Sequence, residues 1–451
     1  MSLKIAVPKT TAPHEKRFAV SPETVKKLSD SGCQVIIESG AGEAASIPDS
    51  AFVEAGAKIA KSAAEALKGA AIVLAVQAPK DSEISQLSKG SLLICQMAPY
   101  RNEAIIRKLA AAGVDCFAME LIPRISRAQT MDVLSSQANL AGYKAVLDAA
   151  EHYGRAFPMM MTAAGTVPPA KIFVMGAGVA GLQAIATARR LGAVVSATDV
   201  RPAAKEQVES LGGKFVAVED DEFKEAETAG GYAKEMSKEY KAKQAALIEE
   251  TIAKQDIVIT TALIPGRPAP TLVSEKMVKS MKPGSVIVDL AVEQGGNCAL
   301  SEGGKVVTKH GVTLIGHFNV PSRLAASAAA LYAKNLLNLV NLLIDKDKKT
   351  LAINWDDEII KAICLTRDGK LVSPLFDAPA KQAPKAPKQA VSKTASAAKK
   401  TPAKPAGKPA AKTAAKPKAT PKKSTAPKAA TKKSPGKKPA TAKTTKTKAK
   451  K

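Results

Sequence analysis

The stretch KIFVMGAGVAG, residues 171–181, decides the reading of this chain. An apolar strand, Lys171–Met175, runs into Gly176-Ala177-Gly178-Val179-Ala180-Gly181, and an Ala-rich helix follows to Leu191. A second strand, Ala193–Asp199, ends on an acid 18 residues beyond Gly181. A lone GxGxxG is weak evidence, but here strand, turn, helix, strand and acid stand in the order a dinucleotide fingerprint requires. Gly176 allows the tight turn, Gly178 leaves the backbone open to a pyrophosphate, and Gly181 allows helix and strand to pack closely. Val179 and Ala180 open a helix whose free N–H groups and positive dipole end suit phosphate oxygens. The carboxylate of Asp199, in the run Asp199-Val200-Arg201, would accept from ribose hydroxyls and repel a 2′-phosphate. The ligand expected is NAD(H) rather than NADP(H). Arg201 is expected to be solvated or to lie at the diphosphate edge.

Working outward, Ile257–Thr261 and Ser285–Leu290 read as further strands. Each leads into a turn-rich loop, Thr260–Gly266 and Asp289–Asn297, where ligands bind in open α/β sheets. Either loop reads equally as an ordinary βα turn. Asp220–Lys254 is a charged excursion broken at Gly230-Gly231, of the kind that is often functional within a compact domain. Upstream, strands at Leu3–Val7, Val35–Glu38, Ile72–Val76, Leu92–Met97 and Val114–Met119 alternate with helices, including Pro22–Leu28 capped by Ser21 and Glu103–Ala112 capped by Asn102. That alternation implies a second parallel sheet covered on both faces. Ser135–Tyr153 reads as a long helix joining the two units, and Leu324–Ile344 as another. The expected fold is α/β: two Rossmann-like, doubly wound parallel-sheet domains, the nucleotide-binding one inserted in the other. Residues 139–319 form the inserted domain, and residues 1–138 are completed by 320–378. The polar run Arg124–Gln137 lies at their boundary, as a helix cap with a solvated loop or as a wall of the ligand cleft.

Formal charge is +26, from 67 basic and 41 acidic residues, but it is uneven. Residues 381–451 hold 23 Lys and no acid or Arg, so residues 1–380 carry 44 basic against 41 acidic side chains, a net of +3. A body coated in positive charge for nucleic acid is excluded. The Lys/Ala/Pro/Thr segment 379–451 lacks the apolar surface to offset ordering entropy and is expected to be disordered. Its readings are a solvated extension, an electrostatic tether to an anionic membrane, or a nonspecific nucleic-acid binder. Five Cys without CxxC spacing and four His argue against disulfides and a metal centre, and fit a reducing compartment. Leu324–Ile344 is interrupted by Lys334, Asn335, Asn338 and Asn341, so no membrane span is expected.

The runs Arg124–Gln137, Phe157–Met175 (FPMMMTAAGTVPPAKIFVM), GAGVAG, Lys205–Phe215 (KEQVESLGGKF), Thr228–Met236 (TAGGYAKEM) and Asp289–Asn297 are long and uninterrupted. Together they resemble the NAD(H)-binding component, domain I, of the proton-translocating, Re/Si-specific nicotinamide nucleotide transhydrogenases, over about residues 3–375. Arg17–Val25 resembles the wider group that includes alanine dehydrogenases. The resemblance implies hydride transfer from NADH, bound here, to NADP⁺ on a partner subunit, coupled to proton movement by membrane-embedded subunits. It implies that Gln129 hydrogen-bonds the dihydronicotinamide, and that Arg124, Asp132 and Ser135 hold the carboxamide and Gln129. Val179 would contact the diphosphate, Asp199 the ribose, and Leu263 the adenine–ribose pocket. Gly231 and Tyr232 would lie on a loop closing over the nucleotide. It also implies a homodimer, with the Phe157–Pro169 run as the pairing hairpin or else an internal one. The place implied is cytoplasmic, peripheral at the inner face of the cytoplasmic membrane. An alanine dehydrogenase is the competing enzyme. At the positions where those enzymes carry a Lys and a His this chain has Gln77 and Gln96, which accept no proton near neutral pH. Glu293 replaces their loop Asp, and Arg17 is retained without its partners. A binding module without turnover is the other alternative.

Overall fold

The structure is a computed structural model and describes residues 3–224, 236–264, 266–345 and 347–377. Two sheets organise these residues. The first has eight strands, in the order Lys370–Leu371, Cys364–Arg367, Asp115–Ala118, Leu92–Gln96, Ile72–Gln77, Lys4–Val7, Gln34–Glu38, Lys58–Ala60. Its six strands from residues 4–118 are parallel, and the two late strands join antiparallel at the Asp115–Ala118 edge. The second has seven, in the order Lys214–Phe215, Val194–Thr198, Lys171–Met175, Ile257–Thr260, Val286–Asp289, Val312–Ile315, Val306–Lys309, parallel except for the last pair. Among the parallel strands both orders reverse once. The reversal lies between Lys4–Val7 and Ile72–Gln77 in the first sheet, and between Lys171–Met175 and Ile257–Thr260 in the second. At such a switch point the loops diverge and leave a crevice at the carboxyl ends of the strands. The chain is thus α/β with Rossmann-like parallel sheets, as expected.

The strands of the second sheet are short runs of Val, Ile and Phe because helices cover both faces. Phe173, Ile259, Ile287 and Leu314 are fully buried. The helix Val133–His152 binds the two sheets into one body. Val133 lies in the apolar cluster under the first sheet, while Ala145, Val146 and Ala149 lie in that under the second. Midway, Gly142 lets this helix press on the Val179–Arg190 helix: a Cβ at Gly142 would stand 2.0 Å from the Ala180 carbonyl oxygen. The helix Ala325–Leu343 returns the chain to the first sheet, where Tyr332, Leu336, Leu339, Val340 and Leu343 are fully buried. The Tyr332 hydroxyl donates to the Ala75 carbonyl at 2.9 Å, which satisfies its buried polar end.

Local signals read from sequence meet the structure unevenly. Ser21 caps Pro22–Asp30, accepting from the Thr24 N–H. Asn102 makes no such bond at Glu103–Ala111; its amide donates to the Met97 carbonyl instead, at 2.8 Å. Asp199 lies just past its strand, which stops at Thr198. The Phe157–Pro169 run forms a hairpin, Met160–Thr162 against Gly165–Val167, with Met161 76% exposed. Gly230, Gly231, Tyr232 and the tail 379–451 lie outside the described residues. Among the described residues no helix is long and apolar enough to cross a membrane.

Candidate functional site

The glycine turn adopts the geometry its spacing implies. Gly176 sits at φ +103°, where a side chain is strained, and a Cβ there would meet the Thr261 hydroxyl at 2.6 Å. A Cβ at Gly181 would stand 1.8 Å from the Gly176 carbonyl oxygen, so helix and turn pack backbone to backbone. A Cβ at Gly178 would meet no atom of the described residues within 4 Å. The space over Gly178 faces the start of the Val179–Arg190 helix, where no side chain caps the N–H groups. Together they make a cradle that fits a pyrophosphate. Val179, Val200 and Leu263 are exposed around it. Such apolar surface beside a phosphate cradle suits a nucleoside.

Asp199 is more committed than the sequence suggested. Its Oδ2 accepts from the Ala177 N–H at 2.7 Å, which ties it to the glycine turn. The Arg201 Nε donates to Oδ1 at 2.9 Å and Nη2 to Oδ2 at 3.1 Å. Arg201 also donates to the Ala177 carbonyl at 3.3 Å. The expectation of a solvated Arg201 is therefore corrected: two residues from a half-buried carboxylate, the guanidinium closes on it as a charge-assisted fork.

Two loops flank the turn, and an acid unassigned by sequence reasoning organises them. Asp289, fully buried, accepts from the N–H groups of Ala291, Asn297 and Cys298 at 2.9–3.0 Å and from the Thr260 hydroxyl at 3.2 Å. Asn297 carries the link onward, with its Oδ1 accepting from the Ala262 N–H and its Nδ2 donating to the Ala262 and Pro270 carbonyls. The signal available was an acid at a strand end before Gly-Gly-Asn. Residues of the first unit meet these loops: Arg101 Nη2 donates to the Glu293 carbonyl at 2.6 Å, and the Tyr100 ring lies against Gly266.

The polar run at the boundary divides. Asp132 caps the Val133–His152 helix, taking the Ser135 N–H at 2.9 Å and its hydroxyl at 2.5 Å. Arg124 and Gln129 are exposed and stand outside that pair. Gln129 rides on a 3₁₀ turn, Ser126–Met131. The structure brings the side chains of Asp132 and Ser135 together and ties Gln129 to them through the backbone, the Asp132 N–H donating to the Gln129 carbonyl at 3.3 Å; among the described residues the side chains of Arg124 and Gln129 make no hydrogen bond to that pair.

The first sheet's switch point is filled. The Glu15 carboxylate accepts from the Arg17 N–H, Nε and Nη2, from Gln77 Nε2 at 2.7 Å, from Asn319 Nδ2 at 2.9 Å and from the Ser322 hydroxyl at 3.1 Å. Arg17 also donates to Gln137 at 3.1 Å, and its guanidinium lies 5.9 Å from the Tyr332 ring centre. Burial alone would raise the Glu15 carboxyl, but the hydrogen bonds and charge of Arg17, with help from Asn319, bring it below its ordinary 4.5. Arg17, without the Lys and His of the dehydrogenases, makes its own bonds to Glu15 and Gln137, and Gln77 joins the network through Glu15. Gln96 sits beside Gln77 in the strand register. Nearby, Glu120 accepts from the Met97 N–H at 3.1 Å and from the Ala98 N–H, and burial raises its carboxyl above the usual range.

Comparison with known proteins follows this division of the chain. The family described as "Alanine dehydrogenase/PNT, N-terminal domain" matches residues 6–141, and "Alanine dehydrogenase/PNT, C-terminal domain" matches residues 145–374. The chain belongs to this family. Within it, the chain is 58% identical over 377 residues to the first part of the NAD(P) transhydrogenase subunit alpha of Rhodospirillum rubrum, covering 82% of this chain and 98% of that one. It is also 58% identical to a transhydrogenase of known crystal structure from Sinorhizobium meliloti, with a TM-score of 0.75, covering 82% of this chain and all of that one. An alanine dehydrogenase of Halomonas elongata is 30% identical over 381 residues, covering 82% of this chain and 94% of that one. The family's transhydrogenase branch is thus far nearer than its dehydrogenase branch. The filled first crevice, with glutamine where proton chemistry is expected, agrees with that order.

Proposed function

We propose that this chain is the NAD(H)-binding subunit of a proton-translocating, Re/Si-specific NAD(P) transhydrogenase. One observation carries the reading: the second sheet keeps an open dinucleotide cradle while the first-sheet crevice is closed by Glu15, Arg17 and Gln77. An alanine dehydrogenase needs a proton donor and acceptor beside its substrate. Glutamine supplies neither at positions 77 and 96. Direct transfer between two nicotinamides needs only positioning, which protein groups can supply.

The dihydronicotinamide, when bound, supplies the hydride from its C4. The chain's residues do the rest. The N–H groups at Val179 and Ala180, over Gly176, Gly178 and Gly181, take the pyrophosphate. Ribose hydroxyls exchange for part of the Arg201 fork on Asp199, while a 2′-phosphate is repelled, so NAD(H) is held here and NADP(H) by a partner subunit. Val200 and Leu263 border the adenosine, and Gly231 and Tyr232 belong to a closing loop. Gln129 holds the ring, with Arg124, Asp132 and Ser135 fixing the carboxamide. We read residues 139–319 as a unit inserted between 1–138 and 320–378. The exposed methionine hairpin pairs two copies in a homodimer, and membrane-embedded subunits carry the proton path. The chain would then sit in the cytoplasm at the inner face of the membrane. The basic tail 379–451 serves as a tether to that anionic surface in preference to nucleic acid, since it lacks Arg and aromatics for base contacts. Truncation at Pro379 should leave NADH affinity intact.

The test is reconstitution with an NADP(H)-binding subunit. Hydride should pass from NADH to an NADP analogue, and Gln129→Asn should slow transfer by about 100-fold with NADH affinity little changed, since a misplacement of about 1 Å suffices for such a loss. NADH oxidation by the chain alone with pyruvate and ammonia would point to the dehydrogenase instead. NADH affinity without transfer would leave a binding module.

A further inference from the structure

We propose that Asn335 and Asn338, on the return helix Ala325–Leu343, are positioning residues that hold the turn bearing Gln129; the inference rests on the role given to Gln129 above. The buried side of this helix is otherwise Ala, Leu and Val apart from Tyr332, and Asn335 is only 7% exposed. Burying an amide is unfavourable unless its bonds are made, and leucine would serve packing better. Asn335 makes its bonds to two separate elements. Its Nδ2 donates to the Thr130 carbonyl at 2.8 Å, and its Oδ1 accepts from the Ser136 hydroxyl at 2.7 Å. Three residues on and on the same helix face, Asn338 Nδ2 donates to the same Thr130 carbonyl at 3.1 Å. A carbonyl oxygen has two lone pairs, and here the two amides supply a donor for each.

Thr130 directly follows Gln129, and Ser136 directly follows Ser135. The two asparagines therefore grip the backbone beside Gln129, and Asn335 also grips the helix start that Asp132 and Ser135 form. The turn needs an external hold. Its 3₁₀ geometry makes weaker bonds than an α-helix, and Gln129 and Thr130 are both exposed. On its other side, Arg127 donates to both oxygens of Asp357, at 2.7 and 3.0 Å, where Asp357 caps the Glu358–Ile363 helix. Gln129 lies between these two anchors, both supplied by the last stretch of the described chain. The side chain that is to touch the nicotinamide is exposed, but its backbone is fixed from below.

The experiment uses the full chain in complex with the NADP(H)-binding subunit, with NADH and an NADP analogue as substrates. Asn335→Asp keeps the shape and the acceptor for Ser136, but turns an oxygen toward the Thr130 carbonyl. It should slow transfer about tenfold or more with NADH Kd changed less than about twofold, because ring placement rather than binding is lost. Asn338→Ala, at a less buried position, should slow transfer a few-fold and unfold at the wild-type temperature. It keeps the test alive if Asn335→Asp folds poorly. Bound NADH should also show lower emission anisotropy in both variants, which reports ring freedom without turnover. In a Gln129→Asn background, Asn335→Asp should cost less than about twofold further, since both changes act through one side chain. Wild-type transfer in Asn338→Ala, a joint fall of rate and NADH affinity, or full additivity with Gln129→Asn would overturn the inference. Gln129→Asn that transfers normally would instead remove the role of Gln129, and with it any reason to position the turn.

Discussion

The two sheets reverse strand order at equivalent places, yet their crevices have opposite fates. In the second, a glycine turn, an uncapped helix start and exposed Val179, Val200 and Leu263 leave a cradle with no atom of the described residues within 4 Å of a Cβ at Gly178. In the first, Glu15, Arg17, Gln77, Asn319 and Ser322 bond one another where a ligand would enter. The same topology thus yields one crevice built to bind and one built to hold. Fold alone did not decide which; the side chains at the switch point did. The filled crevice also has work of its own. Through Gln137, which accepts from Arg17, it engages the helix leaving the first sheet, and through Asn319 and Ser322, which donate to Glu15, the segment returning to it, so both crossings are fixed at one ion pair.

The contrast can be broken most forcefully at Glu15. Glu15→Ala leaves Arg17 buried without its counter-charge and should lower unfolding free energy by about 3–5 kcal/mol in denaturant titration. Replacing both, Glu15→Leu with Arg17→Met, should cost clearly less. The pH dependence has a fixed sign. The folded-state pKa of Glu15 lies below 4.5, so its contribution is complete above the ordinary carboxylate range and fades as pH falls through the folded value. An acid-stability profile unchanged by Glu15→Gln would contradict the pairing. NADH affinity of the folded variants should stay near wild type, since the cradle is elsewhere.

On the second sheet the glycines separate packing from binding. Gly181→Ala places a Cβ 1.8 Å from a carbonyl oxygen and should destabilise by about 1–3 kcal/mol while also distorting the turn. A normal thermal midpoint would mean that helix and turn are looser than drawn. At the rim, Asp199→Ala removes an acceptor and releases Arg201. NADH should bind roughly 10- to 100-fold more weakly, the value of a hydrogen bond to a charged group, and NADPH should bind better than before. Unchanged preference between the two in a nicotinamide fluorescence titration would remove Asp199 from the ribose.

Legibility in the sequence followed the reach of each interaction. The glycine turn was readable because each glycine answers a local demand, a positive φ or a backbone approach within a few residues. The alternation of apolar runs and helices marked both sheets for the same reason. The filled crevice was not readable, because Glu15 meets Asn319 and Ser322 from some three hundred residues away. Asn335 looked like an interruption in an apolar helix, and only the approach of Thr130 gives it a purpose. Arg201 shows a short-range effect that sequence does not carry: spacing leaves open whether the fork turns to solvent or to Asp199. Asp289 opens the loop Asp289–Asn297, but its four bonds depend on how that loop folds back.

The contrast between the crevices implies one nucleotide site per chain. Isothermal titration of the intact chain with NADH, beside Gly178→Ala, tests it most directly. The added methyl fills open space over the cradle, so stability should not change while the pyrophosphate is obstructed. One NADH per chain is expected for the wild type, and affinity at least about tenfold lower in Gly178→Ala at an unchanged thermal midpoint. Two NADH per chain, or undiminished affinity in Gly178→Ala, would contradict it.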